Sequence, residues 1–298
     1  MSPLSLEEEY QNNPCLRRED ISNLKEWLTQ HPHLPAVPDE MLIMFLHACN
    51  YKTDATKHTV ERHYSLKASA PEVWSNRDPS RPEVQRALQI IEMSALPSRD
   101  PDGNLVLVCR FAEPADPSRF VHAEAAKAYS MFHDLSVWRA GLVPGVVMVL
   151  DQKGANLSLV ARLNLSVLRN HLAYLQDGFP GRIVNFHVVN CVSVTEKLLA
   201  IARPFLKSEL LEKLRVHGSG MESLYKCVPR EILPTEYGGE AGSFKDLHSK
   251  TIEEMKLHRD WFLEEEKLQI NESKRLGTDK KSKGAFGIVG SFKKLDID

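Results

Sequence analysis

Asp151 and His187 are the side chains best placed by the sequence to do acid–base chemistry. The carboxylate follows the apolar run VVMVL at the end of an expected strand, and the imidazole lies inside the run IVNFHVV. The C-terminal ends of strands in α/β folds often hold a catalytic acid, and histidine is the commonest proton carrier. Neither residue has an evident second member. Asp151 is therefore read as capping the turn that continues through DQKG, and His187 as a hydrogen-bonded core histidine. The chain has 12 histidines and 5 cysteines. None forms a His-Glu-x-x-His or Cys-x-x-Cys arrangement, so neither a metal centre nor a redox pair is expected. No strand is followed by Gly-x-Gly-x-x-Gly or a Walker-type loop, and no Gly-x-Ser-x-Gly elbow occurs. Gly284, Gly287 and Gly290 have another spacing and sit in a lysine-rich tail. An α/β hydrolase or oxidoreductase thus lacks its nucleophile or nucleotide loop; a non-enzyme with no cofactor is expected.

The elements that would position a site follow from hydrophobic period. In the N-terminal stretch, Ser5 with Glu8 has the form of a capping box. Ile21, Leu24, Trp27 and Leu28 make one stripe; Leu42, Phe45, Leu46 and Cys49 make a second behind Asp39; Val60, Tyr64 and Lys67 follow Thr53. Residues 1–78 are expected to form a small helical module. After the turn-rich NRDPSRP (Asn76–Pro82), the chain alternates. A helix over Pro82–Met93 leads to the turn Asp100–Gly103 and the strand LVLVCRF (Leu105–Phe111). A helix over His122–Ala140, the strand Val146–Asp151, a helix over Leu159–Gln176 and the strand Ile183–Val189 come next, with a short strand at Arg215–His217. Continuous apolar strands separated by helices predict a mostly parallel sheet covered by helices, here over residues 82–242. Residues 243–298 carry a charged helix, Phe244–Asn271, and then the basic tail.

Composition narrows the partners. A net charge of −2 on 298 residues argues against nucleic acid. The acidic N-terminus has no apolar h-region. The apolar run Ala140–Leu150 is broken by Pro144 and Gly145 and reaches about half of the ~20 residues a bilayer span needs. Scattered, unpaired cysteines fit a reducing compartment, and a cytoplasmic monomer is expected.

FPGRIVNFHVVN, followed by RPFL, EKLRVHG and LPTEYGG, resembles the CRAL-TRIO family of lipid carriers. The likeness runs from about Gly145 to Gly239 and extends loosely to FLHACNYKTDAT in the N-terminal helices; the tail ending GSFKKLDID is similar to insect members. The resemblance implies an α/β lipid pocket closed by a mobile gate helix, which falls on Val192–Leu214 with a hinge at Pro204. Family pocket positions map to Leu163, His171, Tyr174, Leu175, Phe179 and Phe186. Phe132, Val147, Val149, Val188, Leu198 and Phe205 are added from strand and helix faces. For phosphoinositide contact, Arg182 and Lys213 match family positions, whereas Val184, His47 and Cys49 stand where arginines are found; Arg203, Arg215 and the tail lysines could compensate. The function implied is transfer of a retinoid, tocopherol or similar lipid between membranes, with transient docking to an anionic or phosphoinositide-bearing surface. The alternative is a membrane-recruited lipid-sensing adaptor that transports nothing.

Overall fold

The computed structural model describes residues 5–112, 117–218 and 220–276; the tail glycines and the lysines from Lys280 onward lie outside them. Six helices open the chain: α1 (Leu6–Asn12), α2 (Arg18–Thr29), α3 (Asp39–Ala48), α4 (Thr53–Ser69), α5 (Pro71–Trp74) and α6 (Pro82–Ala87). The Ser5 hydroxyl accepts from the Glu8 amide, as the capping box requires. Pro38 and Lys52, rather than Asp39 and Thr53, occupy the N-cap positions of α3 and α4.

The strands are β1 (Ile91–Ala95), β2 (Leu105–Phe111), β3 (Val146–Asp151), β4 (Ile183–Val189) and β5 (Leu214–Val216), in that spatial order. β1 runs antiparallel to β2, and the remaining neighbours are parallel. Between them come α7 (His122–Ala140), α8 (Leu157–Ala161), α9 (Leu165–Asp177), α10 (Thr195–Ala202) and α11 (Ser208–Leu211); α12 (Glu222–Tyr225), α13 (Phe244–Leu257) and α14 (Arg259–Glu265) complete the chain.

Four segments differ from the expected ones, the simplest being the charged helix expected over Phe244–Asn271, which is α13 and α14 separated at His258 and ending at Glu265. The helix expected to Met93 stops at Ala87, and Ile91–Ala95 pairs with β2, Met93 opposite Cys109. The turn at Asp100–Gly103 therefore closes a hairpin, with the Asp100 carboxylate accepting from the Asp102 and Asn104 amides and Gly103 at φ +82. The helix expected over 159–176 is two helices, because Asn156 caps α8 and Asn164 caps α9 through the Ser166 and Val167 amides. The expected gate segment 192–214 is α10, a 3-10 turn at Arg203–Phe205 built on Pro204, and α11.

Side-chain parity splits the sheet into two faces. Leu107, Cys109 and Met148 belong to a cluster that also takes in Leu24 and Phe45 of the N-terminal helices and Met255 and Phe262 of the C-terminal ones. Val106, Val108, Val147, Val149 and Val189 pack on the other face against Leu224, Val228, Tyr237 and Phe244. A buried ionic knot joins the segments. Arg77, wholly buried in the connector, bonds Asp134 of α7 at 2.6 Å and also Glu265 of α14. Lys67 of α4 joins both carboxylates, and the Tyr174 hydroxyl donates to Asp134 at 2.7 Å.

Candidate functional site: an apolar cavity beneath a half-buried helix

Between the sheet and α10 lies a cavity of about 280 Å³. Its floor is one parity of three strands: Cys109 and Phe111 of β2, Leu150 of β3 with Gln152 just beyond it, and Phe186 and Val188 of β4. The register makes this continuous, since Cys109, Leu150 and Val188 stand side by side across the sheet. One wall is α7, where Ala125 and Ala126 offer a single carbon each and leave room beside Tyr129. A second wall is α9, whose Leu168, His171, Leu172 and Leu175 recur at helical spacing. The cover is α10 with its continuation: Leu198, Leu199, Ala202, Leu206 and Leu210.

That cover is lightly held. Thr195 is the buried residue of α10, and Leu198, Leu199, Ile201 and Ala202 are half-buried. Its foot is anchored. The Gln176 side chain of α9 donates to the Phe205 carbonyl at 3.0 Å and accepts from the Lys207 amide at 2.6 Å. A helix with few buried contacts beyond a pinned turn is the kind of segment that opens locally at low free energy.

The cavity wall carries no Lys, Arg, Asp or Glu among the described residues. Its polar atoms come from His122, His171, Tyr129, Gln152 and Thr195. His122 accepts from the Asn164 amide at 3.0 Å, and the Thr195 hydroxyl accepts from the Val192 amide at 2.9 Å. Neither ring nitrogen of His171 has a partner, and the same holds for His133 behind it and for Oε1 of Gln152. Burial, with the charge that a neighbouring imidazole would carry, pushes the His133 and His171 pKa values down to about 3 and about 4. Both rings are therefore neutral at physiological pH.

Of the residues singled out from sequence, Leu163, His171, Leu175, Phe186, Val188 and Leu198 line this cavity. The others lie elsewhere for identifiable reasons. Val147 and Val149 have the parity of the opposite sheet face. Tyr174 turns toward Asp134, and Phe179 packs near it at 6.3 Å between centroids. Phe132 faces a groove shared with Leu105 and Leu247. Phe205 sits half-buried in the 3-10 turn. Sequence reading missed Tyr129, Gln152, Leu168, Leu172 and Leu199. Leu168 and Leu172 share His171's helical face and were within reach of that spacing; Gln152 needed the β3–β4 register.

The basic residues separate as well. Arg182 and Lys213 share a recess of about 350 Å³ with Lys207, Asp177 and Cys49. The Arg182 guanidinium donates to the His47 carbonyl at 2.6 Å and the Pro144 carbonyl at 3.2 Å. Arg203, at the end of α10, and Arg215, on β5, are exposed and outside that recess.

Asp151 and His187 occupy the face away from the cavity. Asp151 accepts from the Lys153 amide at 2.8 Å, the Asn190 amide group at 3.0 Å and the Tyr237 hydroxyl at 2.8 Å, which makes it a turn cap and a strut. His187 is wholly buried, with Nδ1 2.9 Å from Nε2 of His217. Burial, then the neighbouring His217, lowers its pKa to about 4. Among the described residues no group of His, Cys, Asp and Glu could hold a metal ion, and no helix is long and apolar enough to cross a membrane.

The CRAL/TRIO domain family matches residues 92–239, which takes in all of the sheet and cavity lining but Ile91, together with the cover; a Pinta-like UBA domain matches residues 13–84. Human "Alpha-tocopherol transfer protein-like" is 34% identical over 238 residues, covering 79% of this chain and 69% of that protein. Rat Clavesin-2 is 26% identical over 245 residues, covering 80% and 75%. A crystal structure of Sfh5 aligns with TM-score 0.45 at 12% identity, over 76% of this chain and 81% of that one. With an identity of this order to a relative sharing most of its length, and with the cover and all of the cavity lining but Ile91 inside the matched residues, this chain belongs to the CRAL/TRIO domain family.

Proposed function

We propose that this protein is a non-catalytic carrier that takes a hydrophobic small molecule into the cavity beneath α10 and delivers it to another membrane. The observation that carries this reading is an uncharged apolar cavity covered by a helix, α10, that has one buried residue and a pinned hinge. The name of the human relative, a tocopherol-transfer-like protein, points the same way. Each CH₂ moved from water into such a space contributes about 0.8 kcal/mol, so an occupant of tocopherol or retinoid size is held without chemistry once association and closure costs are met. Leu163, His171, Leu175, Phe186, Val188 and Leu198 would contact it.

Docking is the second part of the reading. Arg182, Lys207 and Lys213 around one recess suit the phosphates of a phosphoinositide, with Arg203 and Arg215 meeting an anionic surface at about 1 kcal/mol each. The cavity and this recess share Leu175 and Leu210 in their walls, so lipid met at these charges would lie beside the cover and favour its opening.

Protein purified in the presence of a lipid extract should carry a hydrophobic species visible by native mass spectrometry. It should also speed movement of that species between donor and acceptor vesicles, faster when acceptors contain phosphoinositide. Recovery of no hydrophobic ligand, or binding without acceleration of exchange, would remove the carrier reading.

A further inference from the structure

The groove that Phe132 faces is separate from the apolar cavity. Both touch α7, but Ala126 lines one and Arg139 the other, about 20 Å apart at the helical rise. The groove measures about 480 Å³ and is bounded by the β1–β2 hairpin, α7 and α13. Its floor is apolar and recessed: Leu96, Leu105, Phe132, Leu135 and Leu247 are each 1% to 5% exposed. Its rim is cationic. The hairpin supplies Arg99, α7 supplies Arg139 and α13 supplies Lys250, against one carboxylate, Glu254, which Arg139 holds at 3.0 Å. Among the described residues, Arg99 and Lys250 have neither a hydrogen bond nor an ion pair. Arg99 is exposed, yet partial loss of hydration lowers its pKa and no carboxylate offsets that. On a chain of net charge −2, this rim is a local reversal of sign.

We propose that this groove docks a partner protein through an acidic segment that carries one apolar anchor. The anchor drops onto Phe132 and Leu135, and the carboxylates flanking it meet Arg99 and Lys250. The inference stands independently of what the cavity holds. Unanswered cations set the sign of the partner, since complementary charge selects one partner and repels others. The recess sets its kind. A flat bilayer surface would meet the rim and leave the floor empty, whereas a projecting Leu or Phe side chain fills it. Exposed ion pairs contribute little one by one, so anchor and carboxylates are both required. Glu254 is no obstacle, because Arg139 already neutralises it.

A fluorescein-labelled peptide, Asp-Glu-Leu-Phe-Glu-Asp-Glu, titrated into the full chain and followed by anisotropy tests this. It should bind saturably at about 0.05 M salt and weaken severalfold at about 0.3 M, where screening shortens the reach of exposed charges. Replacing its acids with Asn and Gln, or its Leu-Phe with Ser-Ser, should each weaken binding about tenfold. The double variant Arg99→Glu, Lys250→Glu should lose the acidic peptide while keeping the parent's urea midpoint and its rate of lipid transfer between vesicles. No binding of the acidic peptide, equal binding of its neutral counterpart, or undiminished binding by the double variant would overturn the proposal. So would a parent that ignores the peptide but holds phosphatidylserine vesicles which the double variant releases, since the groove would then serve a membrane. None of these results bears on the carrier reading, which the transfer rate tests separately.

Discussion

His133 and His171 give the fold a pH dependence with a defined sign. Their folded-state values, about 3 and about 4, lie below the ordinary histidine value of 6.5. Above pH 6.5 both states are neutral and nothing is lost. Below it the unfolded chain takes up protons that the native state refuses, so stability falls as pH drops from 6.5 toward 4. Each histidine contributes roughly 1.4 kcal/mol per pH unit across that window. Urea midpoints measured at pH 7, 6 and 5 should decline accordingly, and His133→Phe should flatten the slope by about one proton. An unchanged slope would mean that His133 is not held neutral. At this scale the sequence was partly legible. The family resemblance placed His171 and Leu175 at the pocket, whereas the unpaired state of His171 was not legible, because it depends on how Tyr129 and His133 of α7 pack against it.

Among the elements, α10 and its 3-10 hinge combine light burial with a fixed pivot. Pro204 was readable as a break in the apolar helical pattern, and the structure adds what holds it: the Gln176 side chain clasps the hinge backbone on both sides. Gln176→Ala should loosen the hinge at a cost of about 1–2 kcal/mol. Hydrogen exchange over residues 203–210 should quicken while the strands keep their protection, and ligand exchange should accelerate severalfold. Equal protection in both proteins would show that the hinge is held by other contacts. The strands β2, β3 and β4 were legible because runs such as VVMVL have no competing helical period. β1 was not: IEMSA is too short and mixed to declare itself, and it becomes a strand through pairing with β2 and the His248 clamp on Met93. Face assignment failed for Val147 and Val149 because parity within one strand says nothing of which face its neighbours turn to the cavity.

For the whole molecule, the knot around Arg77 makes segments distant in sequence mutually dependent. Arg77, Asp134 and Glu265 are nearly or wholly withdrawn from water and Lys67 is half-buried, and charge pairing holds Asp134 and Glu265 below the usual carboxylate range despite burial. Arg77→Ala would leave two buried carboxylates short of a partner and should cost about 3–5 kcal/mol, read as a lower urea midpoint. Arg77→Lys should recover part of that loss, since it restores charge without the two-armed geometry. Equal stability of Arg77→Ala and the parent would mean that the knot is idle. The sequence shows these residues as ordinary charges, three on helices and Arg77 in a turn-rich connector; only their convergence identifies them.

This dependence reaches back to synthesis. Glu265 is nearly 200 residues downstream of Lys67 and Arg77, so while the chain emerges from the ribosome the two cations have Asp134 alone to answer them. The amino-terminal helices meet α9 through His63 with the Gly178 carbonyl and Trp74 with Asn170, but the ionic seam between them and α7 stays incomplete until α14 arrives. Until then, a nascent chain would present its unfinished seam to chaperones, and a premature stop before residue 265 would strand it there.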